Sequence, residues 1–330
     1  MSQLTLVTGA GGFIGGHLVA DLVAQGRRVR AVDIKPVHAW HQVSAASENI
    51  VADLRELASC HAVMTDVSEV FQLAAEMGGI GFIEENKALC MLSVLINTHM
   101  LVAARDAGAD RFFYSSSACV YNAERQANED VIALREEDAY PAMPEDGYGW
   151  EKLFSERMCR HFREDFGLAT RVARFHNVYG PRGSWNDGRE KAPAAICRKV
   201  IEAVASGSNE IEIWGPGTQT RSFMYVDDCV AGVQRISSSD IGEPFNLGSS
   251  ELVTINELVD MAESIAGVTL NRRYNLAAPK GVNGRNSDNT RIERELGWTP
   301  STQLRHGLER TYAWIRDEYY GAERGGRGQQ

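Results

Sequence analysis

The first fifteen residues constrain this chain more than any other stretch. Leu4-Thr-Leu-Val7 reads as a short apolar strand, and Thr8-Gly-Ala-Gly-Gly-Phe-Ile-Gly15 follows at once, leading into an amphipathic helix to about Gln25. Gly9, Gly12 and Gly15 keep a G-x-x-G-x-x-G spacing. Glycines so placed let the backbone turn sharply from strand to helix and let it approach a pyrophosphate at the helix N-terminus. A glycine pattern alone says little. Its position between a strand and a helix makes it a dinucleotide site, with Phe13 and Ile14 beside the phosphates.

The next strand, Arg28-Val-Arg-Ala-Val-Asp33, ends in an acid about 20 residues after the glycines. A carboxylate there accepts hydrogen bonds from the adenosine ribose and repels a 2′-phosphate, which favours NAD over NADP, although Lys35 lies close by. Asp53 fits two roles, a contact to the adenine or a helix N-cap before Leu54. Residues 70–75 read as a fourth strand, and the glycine-rich loop after it places Gly78 close to cofactor or sugar. Residues 85–107 read as one long helix.

Arg111-Phe-Phe-Tyr-Ser-Ser-Ser-Ala-Cys-Val-Tyr121 is a buried strand that delivers Ser115, Ser116, Ser117 and Cys119 where it emerges. Open parallel sheets bind ligands at the carboxyl ends of their strands, so these side chains belong at a cleft. A polar segment, residues 122–140, reads as a surface excursion. The following helix carries Tyr148 and Lys152 four residues apart, hence on one face. His176, after the next strand, reads as a satisfied buried histidine rather than a base.

The alternation implies an α/β fold: a Rossmann-type doubly wound parallel sheet over residues 1–178, completed by later segments near 222–250, with a smaller C-terminal α/β substrate lobe over 179–320. The Gly/Arg-rich tail, 321–330, is expected to be disordered. Acidic residues outnumber basic ones 44 to 34, which argues against nucleic acid as a partner. Six scattered cysteines show no metal-ligand spacing and read as reduced thiols of a cytoplasmic protein. No apolar run is expected to approach the roughly 20 residues of a membrane span, so no membrane partner is anticipated.

Thr8-Gly9-x-x-Gly12-x-x-Gly15, Ser115-Ser-Ser117, Tyr148-x-x-x-Lys152 and Arg221-Ser-Phe-x-x-Val-Asp227-Asp together resemble the extended short-chain dehydrogenase/reductase family, most of whose members modify nucleotide sugars. Within it, Ala75-Glu-Met-Gly-Gly-Ile-Gly-Phe82, Ser116-Ser-Ala-Cys119, Arg174-Phe-His-Asn-Val-Tyr-Gly-Pro181, Gly188-Arg-Glu-Lys-Ala-Pro-Ala-Ala195 and Gly284-Arg-Asn-Ser-Asp-Asn289 are similar to the GDP-mannose 3,5-epimerase branch. The resemblance implies bound NAD and catalysis by Ser117, Cys119, Tyr148, Lys152 and Lys191. It also implies substrate contacts from Gly78, Ala118, Asn177, Glu190, Ala192, Lys199, Gln219, Thr220, Arg221 and Arg285, and a homodimer with a helical seam.

On that reading Tyr148 takes the O4 proton as hydride leaves C4, with Lys152 lowering the phenol's pKa and Ser117 holding O4. The C4 ketone acidifies C3 and C5, and Cys119 and Lys191 act as an acid/base pair from opposite faces of the ring. Which of the two is the base stays open. Two other functions remain in view. A nucleotide-sugar 4-epimerase shares the glycines, Ser117, Tyr148 and Lys152 but typically has threonine at the Cys119 position. An NAD-sensing regulator without turnover would lack the Tyr/Lys pair.

Overall fold

The structure, a computed structural model, describes residues 3–129, 131–279 and 281–326. Six strands lie in the first 175 residues: β1 (Leu4–Thr8), β2 (Arg28–Asp33), β3 (Glu48–Val51), β4 (Val67–Gln72), β5 (Arg111–Ser117) and β6 (Thr170–Phe175). Later strands are short: β7 (Asn177–Tyr179), β8 (Glu210–Trp214), β9 (Thr220–Tyr225), β10 (Phe245–Leu247), β11 (Leu252–Thr254), β12 (Asn271–Asn275) and β13 (Gly284–Arg285). The main sheet runs β10-β6-β5-β4-β1-β2-β3, and every pairing in it is parallel.

Side chains alternate across that sheet, so neighbouring apolar residues enter different cores. Val7, Phe71 and Phe113 pack on one face with Leu18 and Leu22 of α1 (Phe13–Ala24). Their chain neighbours Leu6, Val70 and Phe112 pack on the other, against α2 (Leu57–Val63) and the helices that follow. This is why the strands read as continuous apolar runs.

Residues 85–107 do not form one helix. α3 (Ile80–Glu85), α4 (Lys87–Met91) and α5 (Ser93–Asp106) are separated at Asn86, whose φ of −126° and ψ of 39° leave the helical region, and more gently at Leu92, a turn residue that keeps helical angles and bonds Ala88 O at 3.1 Å. The apolar content here is also higher than expected: Lys87–Asp106 reaches a mean hydropathy of 1.5, the length and composition of a membrane span. In the fold its residues Met100, Leu101, Ala103 and Ala104 are core, and α5 packs against α2 and α6 (Tyr148–Phe166).

The smaller lobe holds α7 (Ala192–Ser206), α8 (Val226–Ser237), α9 (Ile255–Ala266), α10 (Thr290–Leu296) and α11 (Leu304–Gly326). Its two small sheets are β11-β9-β13, with β7 beside β9, and β12-β8. Of the stretch near 222–250 expected to complete the main sheet, β10 does so; β9 belongs to the small one. Residues 122–140 are less exposed than a surface excursion, because Gln126, Leu134, Glu136 and Ala139 are buried against the smaller lobe. α11 continues through Gly321 to Gly326, so disorder does not begin at 321; the well-packed turns before it carry the helix past that glycine. Residues 327–330 lie outside the described residues.

Candidate active site

The order of the main sheet reverses between β1 and β4, and a cavity of about 540 Å³ opens there at the carboxyl ends of the strands. Gly9, Gly12, Phe13, Ile14, Gly15, Asp33, Asp53, Gly78, Ser117, Tyr148, Lys152, Glu190 and Lys191 all line it. The glycines are required. Gly9 has φ of 67°, and a Cβ on Gly15 would lie 2.1 Å from the Gly9 carbonyl oxygen. Gly12 caps α1 with no side chain and no acid in the first turn, which leaves the helix N-terminus open to an anion. Asp33 accepts from Gly11 N at 3.0 Å and Lys35 N at 2.9 Å, so its carboxylate is fixed at the edge of the groove. These features fit NAD.

Asp53 is no N-cap. Glu56 caps α2, while Asp53 forms an ion pair with Arg55 at 2.6 Å at the rim of the cavity.

The three serines diverge because they lie on a strand. Ser115 Oγ donates to Gln72 O at 3.1 Å, and Ser116 donates to the buried Glu156 carboxylate. Ser117 ends β5, accepts from Cys119 N at 3.2 Å and lies near enough to the Tyr148 phenol to influence its proton. Tyr148 opens α6, and Lys152 one turn on donates to Ser115 O at 3.1 Å with its ammonium 5.4 Å from the Tyr148 ring centre. Burial is the strongest influence on both groups. It pushes the phenol up, against the influence of Ser117, and pushes the ammonium down, against the charge of Glu151. The expected lowering of the tyrosine is not what the buried phenol shows: desolvation raises it.

Cys119 is buried and packs with Tyr148, Cys90 and Ile83. Its charged neighbours arrive from three places. Glu145, before α6, bonds through its N–H to Cys119 O at 3.0 Å. Arg285, on β13, donates to Cys119 Sγ at 3.8 Å, to Gln126 Oε1 at 2.6 Å and to the Glu145 carboxylate. Lys191 caps α7, on the loop that Gly79 holds in place by accepting no side chain: Gly79 N donates to Arg189 O at 2.9 Å, and a Cβ there would meet Glu190 O at 2.6 Å. Lys191 and Cys119 feel each other's charge; burial lowers the amine and raises the thiol.

The remaining predicted contacts lie around the smaller lobe. Arg221 and Arg285 are register partners on β9 and β13, next to Thr220, whose hydroxyl donates to Glu129 O at 2.6 Å. Asn177 donates to Ser222 O at 3.2 Å. Lys199 donates to Glu212 O at 2.9 Å and lies over the Trp214 ring, while Gln219 donates to Trp214 O at 2.8 Å. Glu190 pairs with Arg198 at 3.0 Å, leaving Oε2 buried and unbonded. Ala118 and Ala192 flank the Cys119 and Lys191 backbones. His176 is buried, bonded to Asn246 Oδ1 at 3.1 Å, and burial drives it down to about 3.

Sequence reasoning missed Glu145 and Gln126. Glu145 sits among acids before a helix, where a carboxylate reads as dipole compensation, and Gln126 lies in the segment taken for solvent-facing.

Comparison with known proteins agrees with this geometry. The chain is 46% identical over 313 residues to GDP-mannose 3,5-epimerase 1 of Oryza sativa subsp. indica, covering 94% of this chain and 81% of the relative. It is 45% identical over 313 residues to GDP-mannose 3,5-epimerase of Arabidopsis thaliana, covering 94% and 82%. Among solved structures, the UDP-glucose 4-epimerase of Thermotoga maritima with UDP-glucose superimposes with a TM-score of 0.86 at 25% identity, over 96% of this chain and 99% of that one. Residues 5–248 match the family model, and the chain belongs to the NAD dependent epimerase/dehydratase family.

Proposed function

We propose that this protein epimerises GDP-mannose at C3 and C5. The observation that carries the reading is that Lys191 lines the cavity with Tyr148 and Lys152 while Cys119, from a distant part of the chain, packs on Tyr148 and lies close enough for the thiol and the amine to feel each other's charge. A 4-epimerase has no use for such a pair, since inverting C4 needs only removal and return of hydride. The names of the rice and Arabidopsis relatives support the same choice.

Bound NAD supplies a hydride acceptor that later returns the hydride to C4. Tyr148 takes the O4 proton, with Ser117 beside its phenol and Lys152 as the nearby cation. A ketone at C4 acidifies the hydrogens on C3 and C5. Of Cys119 and Lys191, one removes such a proton and the other delivers a proton to the opposite face. Arg221, Arg285 and Lys199 supply the cationic side of the lobe, suited to a diphosphate. Asp33 and the glycines orient the dinucleotide.

A homodimer belongs to the same proposal. Met91, Leu92 and Leu95 on α4–α5 and Trp150 and Phe154 on α6 remain 39% to 50% exposed, too apolar for a pair of packed helices facing water. The six free, buried thiols suit the reducing cytoplasm, where we place the protein.

The purified protein, incubated with GDP-mannose in deuterated water, is expected to incorporate deuterium at C3 and C5 and form galactose-configured product. Cys119→Ala and Lys191→Ala each abolish the exchange while NAD stays bound. Product changed at C4 alone would assign the chain to the 4-epimerases instead.

A further inference from the structure

The pair assigned above leaves one charge without a role. Glu145 is the carboxylate in direct reach of Cys119, and it meets the sulfur together with Arg285 rather than with solvent. Its backbone is tied to the same loop, Glu145 N donating to Cys119 O at 3.0 Å. Arg285 is fixed from a second side by Gln126 Oε1 at 2.6 Å, so the guanidinium cannot swing away from the sulfur without breaking a buried bond.

We propose that Glu145 is a positioning residue for Cys119, clamping Arg285 against the sulfur while its negative charge holds the resting group as a thiol rather than a thiolate. This deepens the epimerase reading and rests on it for the catalytic role of the sulfur. The consequence is electrostatic. With Glu145 present, the cation beside the sulfur is neutralised; without it, Arg285 stands alone and favours the thiolate. When the sulfur loses its proton, to substrate or to solvent, Arg285 is the cation left 3.8 Å away.

Every charged or titratable group facing the sulfur enters this balance. Arg285 on β13, Arg221 on β9 and Lys191 at the start of α7 favour the thiolate; Glu145 before α6 opposes it, as does burial. Tyr148 and Lys152 face it from α6, the Cys90 thiol from α4 and the Ser117 hydroxyl from the end of β5.

The test is the pH dependence of Cys119 alkylation by iodoacetamide, read by mass spectrometry on the NAD-loaded protein. Glu145→Gln keeps the side chain's shape and removes its charge, so the midpoint moves to lower pH, by about one unit or more. Arg285→Gln moves it to higher pH. The pH profile of C3/C5 deuterium exchange shifts in the same direction for Glu145→Gln. Coincident alkylation midpoints in wild type and Glu145→Gln, or shifts of both variants in one direction, overturn the proposal. Because alkylation needs no sugar chemistry, it is judged even if the wild type exchanges nothing at C3 and C5, a result that would sink the epimerase reading alone. Retained NAD in each variant certifies the fold.

Discussion

At the scale of single residues, the site depends on places where a side chain is forbidden as much as on those where one acts. A Cβ on Gly149 would lie 2.3 Å from the Cys119 carbonyl oxygen, a backbone atom with nowhere to yield. Gly149→Ala therefore displaces the Cys119 turn, and C3/C5 exchange should fall at least about tenfold while NAD, held by distant glycines, remains bound. Kinetics beside a cofactor assay checks this; unchanged exchange would show that the turn tolerates movement. The glycine fingerprint, Ser117, Tyr148 and Lys152 were legible in the sequence because local spacing places them. Cys119 was placed at the cleft by its position two residues after Ser117 at the strand's end, though its role came through resemblance; Lys191 was legible only through resemblance, since a loop lysine carries no local signal. Glu145 had none at all, because its partner Arg285 comes from far along the chain.

At the scale of elements, the strands were the most readable, their apolar runs coming from burial on both faces of the sheet. The helix expected over 85–107 was misread because the apolar pattern continues across Asn86, where the backbone leaves helical angles, and across the turn at Leu92. The seam between β6 and β10 carries a prediction about acid. His176 follows β6, bonds to Asn246 of β10, and is driven by burial from 6.5 to about 3. Below pH 6.5 the unfolded chain binds a proton that the folded chain refuses, so stability falls as pH drops. The slope from this group is up to about 1.4 kcal/mol per pH unit, levelling off near pH 3. His176→Asn, followed by denaturant unfolding between pH 7 and pH 4, should show a shallower loss than wild type; equal slopes would mean that the histidine protonates in the fold.

For the whole molecule, a change in helix and strand rhythm suggested a second lobe, but not which late strand returns to the main sheet. Pairing of β10 with β6 depends on contacts 72 residues apart in sequence, beyond any local pattern. The exposed apolar face of α4, α5 and α6 raises the question of a second copy. Phe154→Glu places a charge in the centre of that face, and sedimentation equilibrium should then find monomer where the wild type is dimeric. A monomeric wild type, or a dimer unaffected by the charge, would assign the face another use.

The account as a whole requires that hydride leave C4 and return to it while solvent protons enter at the neighbouring carbons. GDP-mannose carrying deuterium at C4, turned over in ordinary water with C3/C5 tritium release followed in parallel, tests this most directly. The prediction is product that retains the C4 label on a ring that has exchanged at C3 and C5. Loss of the C4 label to solvent, or no release of tritium from C3 and C5, would contradict it.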